Sequence, residues 1–136
     1  MRNKVSVISV RKGFKKFESR SKDDALKILK ILKQNDVFVE IFLAGDKEMK
    51  TLNKKFRNKD KTANVLSFNE PKNFVFPPSA AMKTRKIGEV YLNVEQTGPK
   101  KMFSSKHLLA HAILHLLGYS HNDKMEKKER FLISKI

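Results

Sequence analysis

All four histidines of this chain fall between positions 107 and 121: His107, His111, His115 and His121. Imidazole is the commonest protein ligand of transition metals, and spacing decides whether several rings can share one ion. His111 and His115 are four residues apart, so on a helix both rings project from one face about a turn from each other. Gly118 follows, a residue that tolerates the positive φ with which helices commonly end. The chain can then turn back and bring His121 to the same ion. Three neutral imidazoles leave one position of a four-coordinate ion open to water or substrate, which is how a catalytic site differs from a structural one. Water bound there is acidified toward neutral pH. We therefore expect one divalent metal ion per chain on His111, His115 and His121, with zinc, nickel, cobalt and manganese all able to accept imidazoles. His107 lies one turn before a ligand set that is already complete, and is expected at the surface or as an outer partner of a ligand.

The pattern H-x-x-x-H-x-x-G-x-x-H resembles the zinc-binding helix of the metzincins in ligand spacing and in its helix-stopping glycine. It departs at one decisive place. Metzincins carry a glutamate general base after the first histidine, and here that residue is Ala112. Peptide hydrolysis by that route lacks its proton acceptor.

The chain around this segment is strongly basic. Thirty Lys and Arg oppose fourteen Asp and Glu, for a net charge of +16, and the excess is spread along all 136 residues. A folded domain with this charge attracts polyanions, nucleic acid first among them. No cysteine is present, which excludes disulfides, thiolate nucleophiles and cysteine-ligated metals. No apolar run approaches the ~20 residues of a membrane span. Met1–Val10 alternates polar and apolar residues instead of forming a signal-peptide core, so the expected location is the cytoplasm. The length suits one domain, taken as residues 1–136.

The elements that must position the histidines follow from periodicity. Lys4–Val10 reads as a strand. Ser21-Lys22-Asp23-Asp24 is a helix start signal, followed by an apolar stripe from Ala25 to Leu32 and an end near Gln34-Asn35. Val37–Leu43 reads as a buried strand. Asp46 is placed to cap a second helix whose inner face is Met49, Leu52 and Phe56. Val65–Phe68 is a short strand, with Phe68 expected in the core, Glu70–Lys86 an extended loop and Gly88–Asn93 another strand. Ser104 or Ser105 begins the histidine helix. Asn122 or Asp123 caps a last helix that turns Met125, Leu132 and Ile136 inward. The order predicts an α/β fold: a single domain with a small mixed sheet of about four strands flanked by helices.

Three segments resemble one known family, the YbeY-type endoribonucleases, which are bacterial rRNA maturation factors. His111 to His121 (HAILHLLGYSH) is similar to the HGxLHLxGYDH signature. Leu52 to Phe68 (LNKKFRNKDKTANVLSF) is similar to LNxxYRxxDxPTDVLSF. Ile87 to Leu92 (IGEVYL) is similar to LGDIVI. The departures are Ala112 for Gly, Ser120 for the Asp before the last histidine, Asn64 for Asp and Lys61 for Pro. The chemistry is accordingly assigned to the histidines and Arg57 instead of those carboxylates.

The resemblance implies a zinc-dependent endoribonuclease specific for single-stranded RNA. It would act in late rRNA processing at the 3′ end of 16S rRNA and in ribosome quality control, with rRNA and the small ribosomal subunit as partners. It also implies a functional role for Arg57. The planar guanidinium suits two phosphate oxygens and would offset charge that builds at phosphorus during cleavage. Lys54, Lys55, Lys59 and Lys61 flank it and are expected to hold RNA backbone. Two rivals are a non-enzymatic ribosome-associated RNA-binding assembly factor with a structural zinc, and a metal-dependent peptidase with a base from elsewhere in the chain.

Overall fold

The structure is a computed structural model that describes residues 2–70, 85–97, 104–120 and 122–136. Its sheet has four strands: β1 (Lys4–Ser9), β2 (Val37–Ala44), β3 (Val65–Asn69) and β4 (Arg85–Asn93). They lie in the order β1-β2-β4-β3. β1, β2 and β4 run parallel, and β3 pairs antiparallel at the edge. Four helices surround the sheet: α1 (Glu18–Ile31), α2 (Asp46–Arg57), α3 (Ser105–Leu116) and α4 (Asp123–Lys135). This is the expected small mixed sheet flanked by helices. Among the described residues, no helix is long and apolar enough to cross a membrane.

Strand alternation divides the sheet into two unlike faces. Val39, Ile41 and Leu43 of β2 and Val90 and Leu92 of β4 are fully buried against α1, α3 and α4. α3 supplies seven buried residues to this core, from Leu108 to Leu116. The other face carries Phe42, Glu40, Glu89 and Tyr91, and only a small second core of Ala44, Met49 and Leu66 covers part of it. On the open part, Lys86 Nζ lies 2.5 Å from Glu40, 3.0 Å from Glu70 and 3.0 Å from Glu89. Burial works against the ammonium, but three carboxylate hydrogen bonds outweigh it and hold the lysine charged well above its ordinary range.

Several expectations need correction. α1 begins at Glu18, not at Ser21. A 3-10 turn over Lys12–Phe17 feeds straight into it, and Ser21 and Asp24 are buried inside the helix instead of capping it. Gly45, not Asp46, is the N-cap of α2, and Glu48 accepts from the Gly45 amide at 2.8 Å. Asp46 is diverted to tertiary bonds, its carboxylate accepting from Asn93 Nδ2 and Gln96 Nε2, each at 2.8 Å. β4 starts at Arg85, where a loop was expected, because Arg85 and Lys86 pair with Val37 and Phe38 of β2, a bulge at Ile87 follows, and Ile87 O accepts from the Glu70 amide. The rest of that expected loop, residues 71–84, lies outside the described residues. Phe56 is 56% exposed, so the inner face of α2 ends at Leu52; Phe68, expected in the core, is only partly buried.

Candidate metal centre

α3 is buried along most of its surface, and His107, His111 and His115 form its one partly exposed polar stripe at i, i+4, i+8. The helix has defined ends. Ser104 Oγ accepts from the His107 amide at 3.2 Å. At the other end the Gly118 amide donates to His115 O and the Tyr119 amide to Leu114 O, each at 3.0 Å. That paired bonding is a Schellman motif, and Gly118 adopts the positive φ of 98° that it requires. The expected breaker is therefore present and turns the chain out of the helix just after His115.

The two central rings meet as a shared ligand pair should. His111 Nε2 and His115 Nε2 are 3.1 Å apart. Two Zn–N bonds of about 2.0–2.1 Å at a tetrahedral angle place nitrogens roughly 3.3 Å apart, so this pair fits one ion with little adjustment. His111 Nδ1 is 2.5 Å from Glu129 Oε1. An ionised carboxylate there would accept from Nδ1–H, and the neutral ring would then keep its Nε2 lone pair for a metal. The other Glu129 oxygen lies 3.9 Å from His107 Nε2. His107 is partly exposed and lies near the carboxylate that His111 bonds. Glu129 is 9% exposed on α4. It was not singled out from the sequence, although it sits in the apolar stripe Met125–Leu132 at i+4, where a carboxylate needs a partner.

His121 lies outside the described residues. Among the described residues, no group of three or more His, Cys, Asp or Glu is arranged to hold a metal. The donor chemistry present is two converging imidazole nitrogens and a carboxylate behind one of them, which suits a divalent transition metal. Ala112, beside His111, is 1% exposed in the core.

Arg57 ends α2 and reaches the free edge of the sheet. Its Nη2 donates to Ser67 O at 3.2 Å, and its Cζ lies 5.7 Å from the centre of the Phe68 ring. Two residues further along β3, Asn69 Nδ2 donates to Leu116 O at 2.9 Å, next to His115. One five-residue strand therefore carries the guanidinium on its edge and the last turn of the histidine helix on its face. Gly88 of β4 makes that approach possible, since a Cβ there would collide with Phe68 O and with Leu116. Lys54, Lys55, Lys59 and Lys61 are all exposed around Arg57. The loop after it is held to α2 by the buried Asn53, whose Nδ2 donates to Lys61 O at 2.9 Å.

The chain resembles known proteins over nearly its whole length. The sequence model of the family described as Endoribonuclease YbeY matches residues 3–135. The protein named Endoribonuclease YbeY from Thermodesulfovibrio yellowstonii is 35% identical over 96% of this chain and 84% of its own length. Its namesake from Nautilia profundicola is 34% identical over 78% of this chain and 82% of its own length. A solution structure of a Thermotoga maritima protein shares the fold, with a TM-score of 0.58 and 24% identity over 96% of this chain and 87% of that one. With the family sequence model spanning nearly every residue and relatives above 30% identity covering most of both chains, this chain belongs to the Endoribonuclease YbeY family.

Proposed function

We propose that the chain is a zinc-dependent endoribonuclease that cuts unpaired RNA in late rRNA processing, at the 3′ end of 16S rRNA, and in ribosome quality control. The observation that carries the metal assignment is the convergence of His111 Nε2 and His115 Nε2 at 3.1 Å, with Glu129 fixing the tautomer of His111. His111, His115 and His121 would hold the ion. When bound, it supplies a Lewis acid and an acidified water for phosphodiester chemistry. The chain's own residues then divide the remaining work. Glu129 orients one ring, and His107 shares that carboxylate. Arg57, fixed at the edge of β3, binds phosphate oxygens and offsets the charge that develops on them. Lys54, Lys55, Lys59 and Lys61 hold the flanking backbone without reading bases. The relatives' names give RNA as their substrate, and the charge of +16 suits it. A cytoplasmic location and the small ribosomal subunit as the setting complete the reading.

The test joins elemental analysis of the purified protein to cleavage of single-stranded RNA with and without chelator. About one zinc per chain, chelator-sensitive cleavage and loss of both in His115→Ala are expected. RNA binding without cleavage under any divalent metal would favour the assembly-factor reading. Metal content undiminished in His115→Ala would remove the site.

A further inference from the structure

We propose that Phe56 is a stacking platform for one unpaired base of the RNA, with Lys55 and Arg57 on either side holding the backbone. The inference rests on the RNA reading above and adds a subsite to it.

A single exposed Phe on a protein surface is ordinary. Phe56 differs because it ends a continuous line of rings. Its centroid is 5.3 Å from that of Phe68, edge-on at 63°. Phe68 meets Tyr91 at 5.8 Å and 83°, and Tyr91 stacks on Phe42 at 4.7 Å and 14°. The line crosses the open face of the sheet from the second strand to the edge, and there rises onto the last turn of α2. Edge-to-face contacts of this kind hold rings in defined orientations. Phe56 is therefore braced from below while 56% of it remains exposed.

Cations frame the platform. Lys55 Nζ lies 5.3 Å from the Phe56 ring centre, and Arg57 Cζ lies over the neighbouring Phe68. Beside it a shallow cavity of about 410 Å³ is lined by Lys50, Thr51, Lys54, Lys55 and Asp60. Protein-binding surfaces are depleted in lysine at their centres. An aromatic ring surrounded by lysine and arginine is how single strands are held, because every base offers a π-face and every linkage a negative charge. A duplex hides its base faces within the stack and would gain nothing from this ring.

The chain has no Trp, so Phe56→Trp installs one fluorophore at the platform. The probes are a short 2′-O-methyl oligoadenylate with its integrity checked on a gel, a duplex of the same length, and inorganic polyphosphate. Saturable quenching by the oligoadenylate is expected, with none from polyphosphate even where it binds. Phe56→Ala should weaken oligoadenylate binding roughly 5- to 150-fold. It should leave duplex affinity and the slope of affinity against salt unchanged, because no phosphate contact is removed. Phe56→Tyr should restore binding. Oligoadenylate binding without quenching, or unchanged affinity in a folded Phe56→Ala, overturns the platform and leaves the RNA reading intact. If Phe56→Ala fails to fold, the quenching experiment decides alone. No binding of either RNA by the wild-type chain at low salt overturns both.

Discussion

Glu129 offers the sharpest test of the proposed metal centre, because its carboxylate contacts α3 chiefly through His111. Replacing it by Leu removes the acceptor while filling similar volume between Met125 and Leu132, both buried on the same side of α4. The bond lost is a charge-assisted one of 2.5 Å with both side chains largely sheltered, at 25% and 11% exposure. Such bonds contribute about 1.5–3 kcal/mol. At about 1.4 kcal/mol per decade, the partly exposed ring should place zinc affinity roughly 10- to 50-fold weaker in Glu129→Leu. Glu129→Gln keeps an oxygen that can accept from Nδ1 but loses the charge, so it should fall between the two. The assay is competition with a chromophoric chelator, read as a zinc dissociation constant, with circular dichroism and a thermal midpoint to confirm folding. The order wild type, Gln, Leu in weakening affinity is expected. Zinc affinity equal to wild type in a folded Glu129→Leu would show that the carboxylate does not serve the metal and would refute the tautomer argument.

Three further perturbations reach other parts of the molecule. Arg57→Ala should bind zinc normally and melt like wild type while cleaving single-stranded RNA about 100-fold more slowly; unimpaired cleavage would dismiss the phosphate clamp. Lys86→Met leaves Glu40, Glu70 and Glu89 without their shared cation and should cost about 2–3 kcal/mol in urea unfolding at pH 7. Unchanged stability in this variant would count against the cluster. Asp24 is 4% exposed with Oδ2 unpartnered, and burial raises its carboxyl above the usual range despite Lys106, Arg20 and Lys27. The folded state therefore binds a proton more readily than the unfolded one, and stability contributed by this group falls as pH rises from the unfolded carboxyl value through the folded one. Asp24→Asn should stabilise the protein by about 1 kcal/mol at pH 7, with the gain vanishing below pH 4; destabilisation at neutral pH would contradict that sign.

What could be read from the amino acids alone is what depends on neighbours a few residues apart. The helix carrying His111 and His115, its Ser104 cap and its Gly118 stop are all short-range features, and all are present. The same holds for the existence of the four strands. The misreadings share one cause, competition between a local signal and a distant partner. Asp46 is a good capping residue by type, but Asn93 and Gln96 compete successfully with the helix amides for its carboxylate. Ser21-Lys22-Asp23-Asp24 has the pattern of a helix start, yet the turn at Lys12–Phe17 had already set the chain in helical register. Phe56 follows the periodicity of α2, but the small second core runs out of depth at Leu52 and Phe68, leaving the ring in solvent. Glu129 is the converse case. α4 offers both Glu126 and Glu129 in a charged stretch, and only the docking of α4 against α3 determines which is buried beside a histidine. The approach of His111 and His115 can be read from spacing because one helix supplies the geometry. The carboxylate behind it requires two helices to meet, and a residue pair 18 positions apart carries no periodicity that announces it.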